Sequence, residues 1–286
     1  MATGILRMIV WNVKRGNAIS LHLPNGKTVM IDCGNSDDCS PVDSLNKQKI
    51  NKIDWLVISH PHTDHMADLG TIIRLGMLPT VLTTATTIAE STIKEKNQDQ
   101  GAVETYLSTC RIYNSPLKSC YDPYNPENTG GVVFATFAPI KYAESNLNNR
   151  SLVVVAVYGG TKILFMGDCT VDAQRELLSN SSFAEAIKGT NVLIAPHHGH
   201  DSCYCQELMD VIAPWLCIVS DGKDSPEVSA VSKYGEHCSG IMFRNCNNER
   251  DKRVCLTTRN DGHITVDIPY CGGVYVQASK SGLVSC

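Results

Sequence analysis

At 286 residues, 43% apolar and 19% charged, the chain can bury a substantial core and has the make-up of a soluble globular enzyme. A net charge of −4 excludes a global basic field, and with it counterion-driven duplex binding as a main activity. No uncharged apolar run reaches about 18 residues and residues 1–10 lack a secretory pattern, so a cytoplasmic protein without membrane association is expected.

In chain order, residues 5–13 and 19–23 read as strands, Asn25-Gly26 as a hairpin turn and residues 28–31 as the next strand. Residues 55–59 are a short apolar run typical of a buried strand, and residues 68–75 read as a helix ending near Gly76. Residues 88–112 are helix-compatible and residues 113–131 form a loop rich in Tyr, Pro, Asn and Gly. In the second half, residues 151–158 and 162–166 are strands joined by Gly159-Gly160. Residues 171–178 then read as a helix, followed by strands at 191–195, 215–220, 241–243, 253–257 and 264–268. Strands and helices alternate in two comparable halves, which predicts two sheets flanked by helices. One domain over 1–286 is expected, with 86–131 as a variable insertion or lid.

The thirteen cysteines are odd in number and irregularly spaced. Cys33, Cys169 and Cys217 adjoin strands or turns, as buried thiols in a reducing compartment would. Cys203-Tyr204-Cys205 is an isolated C-x-C, a weak metal signal.

Directly after the 55–59 strand stands His60-Pro61-His62-Thr63-Asp64-His65, three imidazoles and a carboxylate in six residues. These donors suit zinc or manganese. In an extended segment His60 and His62 point to one side, while Asp64 and His65 turn to a neighbouring position, so one loop seeds two metal positions. Two later loops carry comparable residues, Gly167-Asp168 and Pro196-His197-His198-Gly199-His200.

H-x-H-x-D-H after a buried strand resembles the signature of the metallo-β-lactamase superfamily. The remaining blocks are similar, in order, to its branch containing the hydrolase domain of DNA-uptake channel proteins, the ComEC/Rec2 type. They are residues 7–19 (RMIVWNVKRGNAI), 29–34 (VMIDCG), 149–155 (NRSLVVV), 163–168 (ILFMGD), 192–199 (VLIAPHHG), 218–220 and 258–266. The branch usually has Asp where Asn12 stands, and often another histidine after the 215–220 strand, where Asp224-Ser225-Pro226 stands here.

The resemblance implies an α/β fold, an αββα sandwich of two mixed β-sheets flanked by helices, holding two divalent metal ions, zinc or manganese. His60 and His62 would hold the first metal, Asp64 and His65 the second, and Asp168 would bridge them. His197 or His198 would complete the second site. Asp32 and Asn149 would stand behind the ligands, Asp32 accepting a hydrogen bond that orients the His-rich loop. No histidine lies between His65 and His197, where many members supply a third to the first metal. Asn148 or Asn149 occupies that place, so a weak first site is expected.

Two such cations about 3.5–4 Å apart would make hydroxide available near neutral pH, with Asp64, Asp168 or the unligated histidine of the pair, His197 or His198, moving the proton. Lys14, Arg15, Arg150 and His200 are the residues placed to touch substrate. The expected activity is hydrolysis of a phosphodiester. A small ester, lactone or phosphocholine-type substrate is the second reading, and a metal-bound interaction subunit the third. That third reading would dock a protein partner through 86–131, with Tyr106, Tyr113, Tyr121 and Tyr124. His22, His237 and His263 match no ligand motif and are expected on the surface or in loops.

Overall fold

The computed structural model describes residues 4–85, 88–141, 146–222 and 229–279. Asp224-Ser225-Pro226 and the first two residues of the 86–131 segment lie outside them.

The chain opens with β1 (Ile5–Val10), β2 (Ala18–His22) and β3 (Thr28–Cys33), an antiparallel meander. Then come α1 (Pro41–Lys47), β4 (Trp55–Ile58), α2 (Thr63–Met66), α3 (Leu69–Arg74), β5 (Val81–Thr84), α4 (Glu90–Lys96) and α5 (Gln100–Ile112). The second half runs β6 (Val133–Phe137), β7 (Val153–Tyr158), β8 (Thr161–Phe165), α6 (Val171–Leu178), α7 (Ser181–Ile187) and β9 (Val192–Ile194). It continues through α8 (Gln206–Ile212), β10 (Leu216–Val219), α9 (Val231–Glu236), β11 (Ile241–Arg244), β12 (Arg250–Arg253) and β13 (Cys255–Thr257). The last elements are α10 (Thr258–Asp261), β14 (His263–Pro269) and β15 (Tyr275–Ser279).

One sheet has the order β12-β11-β15-β14-β1-β2-β3-β4-β5, the other β13-β10-β9-β8-β7-β6, and both are mixed. The period of two builds the layers. In β1, Leu6, Met8 and Val10 face the core between the sheets, where they meet Phe165, Ile194 and Ile218. Leu56 and Ile58 of β4 turn outward onto Val42, Leu45, Leu69 and Ile72 from α1 and α3. Val153, Val155 and Leu164 turn outward on the other side, onto Ala173, Leu177, Phe183 and Met209 from α6 to α8. Each fully buried side chain of this kind contributes about 1.5–3 kcal/mol. The result is the αββα sandwich expected from the alternation of elements.

Several expected elements differ in extent. The strand expected over 5–13 stops at Val10, since Trp11 already turns the chain. The helix-compatible stretch 88–112 holds two helices, α4 and α5, separated where Asn97 is extended (φ −119°, ψ 139°). Asp99 accepts from Ala102 N at 3.0 Å and caps the second. Residues 253–257 do not form one strand. They are divided between β12 of the larger sheet and β13 of the smaller, a crossing that the apolar pattern alone does not mark. Among the described residues no helix is long and apolar enough to cross a membrane.

Candidate metal centre

The parallel strands β3, β4, β8, β9 and β10 end at one edge of the sandwich, and their loops converge there. This is the crevice outside strand carboxyl ends where α/β sheets place ligands. β3 brings Asp32, β4 brings Ser59 and His60, β8 leads to Asp168 and β9 to His197 and His198. Asp32, His197 and His198 are held at φ 57°, 48° and 54°, left-handed values that cost about 1–3 kcal/mol each in non-glycine residues. Backbone strain is thus stored where side chains are aimed.

Two groups of donor atoms result. His60, His62 and Asp168 form one, and Asp64, His65 and His198 the other, each with its ligand atoms within 4.8 Å of one another. His60 Nε2 lies 3.0 Å from His62 Nδ1. Asp168 faces both groups, with Oδ1 3.3 Å from His65 Nε2 and Oδ2 3.7 Å from both His60 Nε2 and His198 Nε2. His198 Nε2 is 3.5 Å from Asp64 Oδ2. His198 rather than His197 therefore stands with Asp64 and His65. His197 Nε2 is 3.9 Å from Asp168 Oδ2, and its Nδ1 lies 3.1 Å from Cys203 Sγ.

The helical turn α2 carries Asp64 and His65, so they leave the extended path of His60 and His62. Behind them Asp32 is a fully buried hub. It accepts from Ser59 N at 2.7 Å, Ser59 Oγ at 2.9 Å and Asn17 Nδ2 at 2.9 Å, and lies 2.7 Å from His65 Nδ1. His198 Nδ1 is 3.0 Å from the Ser220 carbonyl. A neutral ring held this way carries its proton on Nδ1 and turns an Nε2 lone pair into the cluster. Both Nε2 atoms are buried without a hydrogen-bond partner. Orphaned buried nitrogens beside two carboxylates are what a divalent cation would satisfy, so the donor set fits a metal.

The electrostatics agree. Burial disfavours the charged form of Asp168, but His65, His198 and His60 outweigh it and hold the carboxyl well below its usual range. Asp64 is likewise held down against burial by His198 and His65. His65 and His198 are raised despite burial, chiefly by Asp168, with Asp32 acting on His65 and Asp64 on His198. His60 and His62 are lowered, first by burial. Two ionised carboxylates thus draw cationic charge into a buried site, which bound metal would supply in place of protons.

The remaining expected residues fall around this cluster. Asn149 is buried in the turn before Ser151, and its Oδ1 accepts from Thr170 Oγ1 at 2.6 Å. Asn148 Oδ1 is buried without a hydrogen-bond partner. Lys14 and Arg15 are exposed on the loop after β1, with Lys14 Nζ 2.5 Å from Asp38 Oδ2, and Arg150 is half-buried. His200 stacks on His197 at 5.6 Å, with Nδ1 2.7 Å from Ser202 Oγ. His263 is buried, not on the surface, and its Nδ1 accepts from Asn12 N at 3.0 Å. The Tyr-rich stretch lies at the far end of the sheet. Tyr124 packs on Trp55, the first residue of β4, and Tyr113 Oη donates to Pro79 O at 2.5 Å. Tyr106 is in the core. The α4–α5 junction within 86–131 does adjoin the cluster, since Asn97 bonds to Pro61 O and Thr63 N of the His-rich loop.

Sequence reasoning missed Ser59, Ser151, Asn17 and Asn97. Ser59 Oγ lies 3.1 Å and Ser151 Oγ 3.3 Å from His60 Nδ1. Only their place beside motif residues could have marked the two serines. Gly34 ends the 29–34 block, and its function is spatial. A Cβ there would lie 2.2 Å from Asp64 O and 2.9 Å from Asn17 O, both backbone atoms. Gly34→Ala is expected to cost about 3 kcal/mol, read as a lower denaturant midpoint, and to displace the Asp64 loop.

No curated protein matches the chain. Solved structures similar to it are distant. One is the metallo-beta-lactamase fold protein YhfI from Bacillus subtilis, at 12% identity and TM-score 0.47, covering 94% of this chain and 98% of that one. Another is a diphosphatase from the PhnP family, at 12% identity and TM-score 0.48, covering 93% and 99%. A third is Zn(2+)-bound PqqB from Methylobacterium extorquens, at 9% identity and TM-score 0.46, covering 90% and 99%. The family model described as the metallo-beta-lactamase superfamily matches residues 12–204, more than half of the chain and the whole span from the His-rich loop to His198. By that match this chain belongs to the metallo-beta-lactamase superfamily and is a hydrolase of that fold.

Proposed function

We propose that the protein is a metal-dependent phosphodiesterase, with His60, His62 and Asp168 holding one divalent cation and Asp64, His65 and His198 a second. The observation that carries this reading is the pair of adjoining three-donor groups with Asp168 facing both. Such cations, when bound, supply hydroxide at neutral pH and neutralise charge developing on the substrate oxygen.

The chain's own residues do the rest. Asp32 and the Ser220 carbonyl fix the His65 and His198 rings, so their Nε2 atoms need no reorientation during reaction. His197, outside both groups and one-third exposed, is the histidine we assign to carry a proton to the leaving group. Lys14, which pairs with Asp38, and Arg15 precede Gly16, whose backbone lies against Asp64 O, and Arg150 follows Asn149; we assign these three cationic residues to the substrate side of the cluster. A phosphodiester anion would be drawn by them, whereas a neutral ester or lactone makes no use of that charge. The same preference agrees with the resemblance to the ComEC/Rec2-type branch.

The test is a metal-depletion assay against bis(p-nitrophenyl) phosphate and p-nitrophenyl acetate. Phosphodiester hydrolysis is expected to fall more than about a hundredfold on chelation and to return with Mn²⁺ or Zn²⁺. Ester hydrolysis that exceeds phosphodiester hydrolysis in the reloaded enzyme would overturn the substrate assignment. Activity indifferent to chelation would overturn the metal.

A further inference from the structure

His62 is the half-buried member of the His60–His62–Asp168 group, on a loop between β4 and α2. Its backbone is bonded within the loop itself, His62 N donating to His60 O at 3.1 Å and His65 N donating to His62 O at 3.0 Å. The side chain of Asn97 ties that loop to the α4–α5 junction. Asn97 Nδ2 donates to Pro61 O at 2.9 Å, and Asn97 Oδ1 accepts from Thr63 N at 2.9 Å and Thr63 Oγ1 at 3.0 Å. The second Nδ2 hydrogen goes to Ile93 O at 2.8 Å. A primary amide offers two donors and two acceptor positions, and all four are used here.

The two peptide groups it binds flank His62 on either side. Asn97 is itself held, because its carbonyl accepts from Gln100 Nε2 at 2.7 Å and it joins two helices packed into the outer core. It is buried, at 8% exposure, and it lies within the 86–131 segment that no motif covers.

We propose that Asn97 is a positioning residue for the metal centre, clamping the backbone of His62 so that the His60–His62–Asp168 group is preformed. This rests on the metal reading above. That group has no third histidine, so its affinity depends on how well two imidazoles are pre-aimed. The Asp64–His65–His198 group is aimed separately, by Asp32 and Ser220. The Thr63 arm of the clamp also reaches the first turn of α2, but Asp32 and Ser220 give the second group supports of its own, so the clamp acts more strongly on the His62 group.

Co²⁺ titration of the metal-free protein, read by its visible d–d bands and by calorimetry, tests this. The binding step abolished by His62→Ala identifies the His60–His62–Asp168 group. Asn97→Asp keeps the acceptor for Thr63 but loses the donor to Pro61, and Asn97→Ala loses both. Each is expected to weaken that step about 10–100-fold and leave the other within about threefold. Asp99→Ala, which removes only the cap of α5, serves as the structural control and is expected to lower the melting temperature without moving either step. Should Asn97→Asp remain folded by circular dichroism with that step unchanged, or should both steps weaken equally in it and in Asp99→Ala, the clamp is refuted. Absence of any Co²⁺ binding step in the wild-type protein, or none lost in His62→Ala, would instead refute the metal centre and the clamp with it.

Discussion

Asp168→Asn is expected to lower kcat/KM by on the order of a thousandfold or more and to leave the metal-free protein less stable than the wild type at neutral pH. Asp168 faces both donor groups, with Oδ1 toward His65 and Oδ2 toward His60 and His198. Asparagine keeps the shape but removes the charge and one acceptor oxygen, so the side chain could no longer offer a carboxylate oxygen to each of the two proposed cations. The backbone is independently fixed. Asp168 N donates to Ser151 Oγ at 2.9 Å, and Gly167 holds φ 53° where a Cβ would lie 2.8 Å from the Ser151 side chain. The substitution should therefore not move the loop. Without cations, and against burial, His65, His198 and His60 hold the ionised carboxylate well below its usual range, so its charge stabilises the metal-free fold at neutral pH and neutralising it should lower the melting temperature. Metal content by elemental analysis, melting temperature with and without chelator, and phosphodiester kinetics check the three parts together. A variant that keeps both metals and near-wild-type kinetics would remove Asp168 from the centre.

The residues of this centre differ in how legible they were beforehand. The sandwich was readable because β4, β7 and β8 are apolar on both faces and alternate with amphipathic helices, a pattern set by local periodicity. The donor residues were readable because metal chemistry needs a narrow set of side chains, concentrated after strands. Their division between groups was not. His197 and His198 are adjacent and chemically identical, and only the left-handed turn at both separates their rings. The helix break at 97–99 was equally hidden. Its cause is the commitment of Asn97 to residues 61 and 63, a contact more than thirty positions away that no local propensity encodes. His263 was misread for the same reason, since its burial depends on Trp11 and Asn12 across the sheet.

Asp32→Ala is expected to be the most destabilising single substitution at this end of the sandwich. The carboxylate lies within 2.9 Å of four donors, Ser59 N, Ser59 Oγ, Asn17 Nδ2 and His65 Nδ1, in a site without solvent exposure. Alanine leaves all four facing a void. At about 1–3 kcal/mol for each buried unsatisfied group, partly relieved by water entering the space, a net loss of about 3–5 kcal/mol is expected. Position 32 also holds φ 57°, which aspartate and asparagine tolerate better than alanine, so the backbone adds to the cost. Asp32→Asn separates the two contributions. It keeps the backbone preference and one acceptor but points an N–H₂ group at hydrogen-bond donors, so it should lose less stability than alanine. It should still weaken metal binding about 10–100-fold, because His65 loses the partner that fixes its ring. Urea denaturation of the metal-free variants and Co²⁺ titration give the two readouts. If Asp32→Asn binds Co²⁺ as tightly as the wild type, the carboxylate is there to hold the strand ends together and not to aim His65.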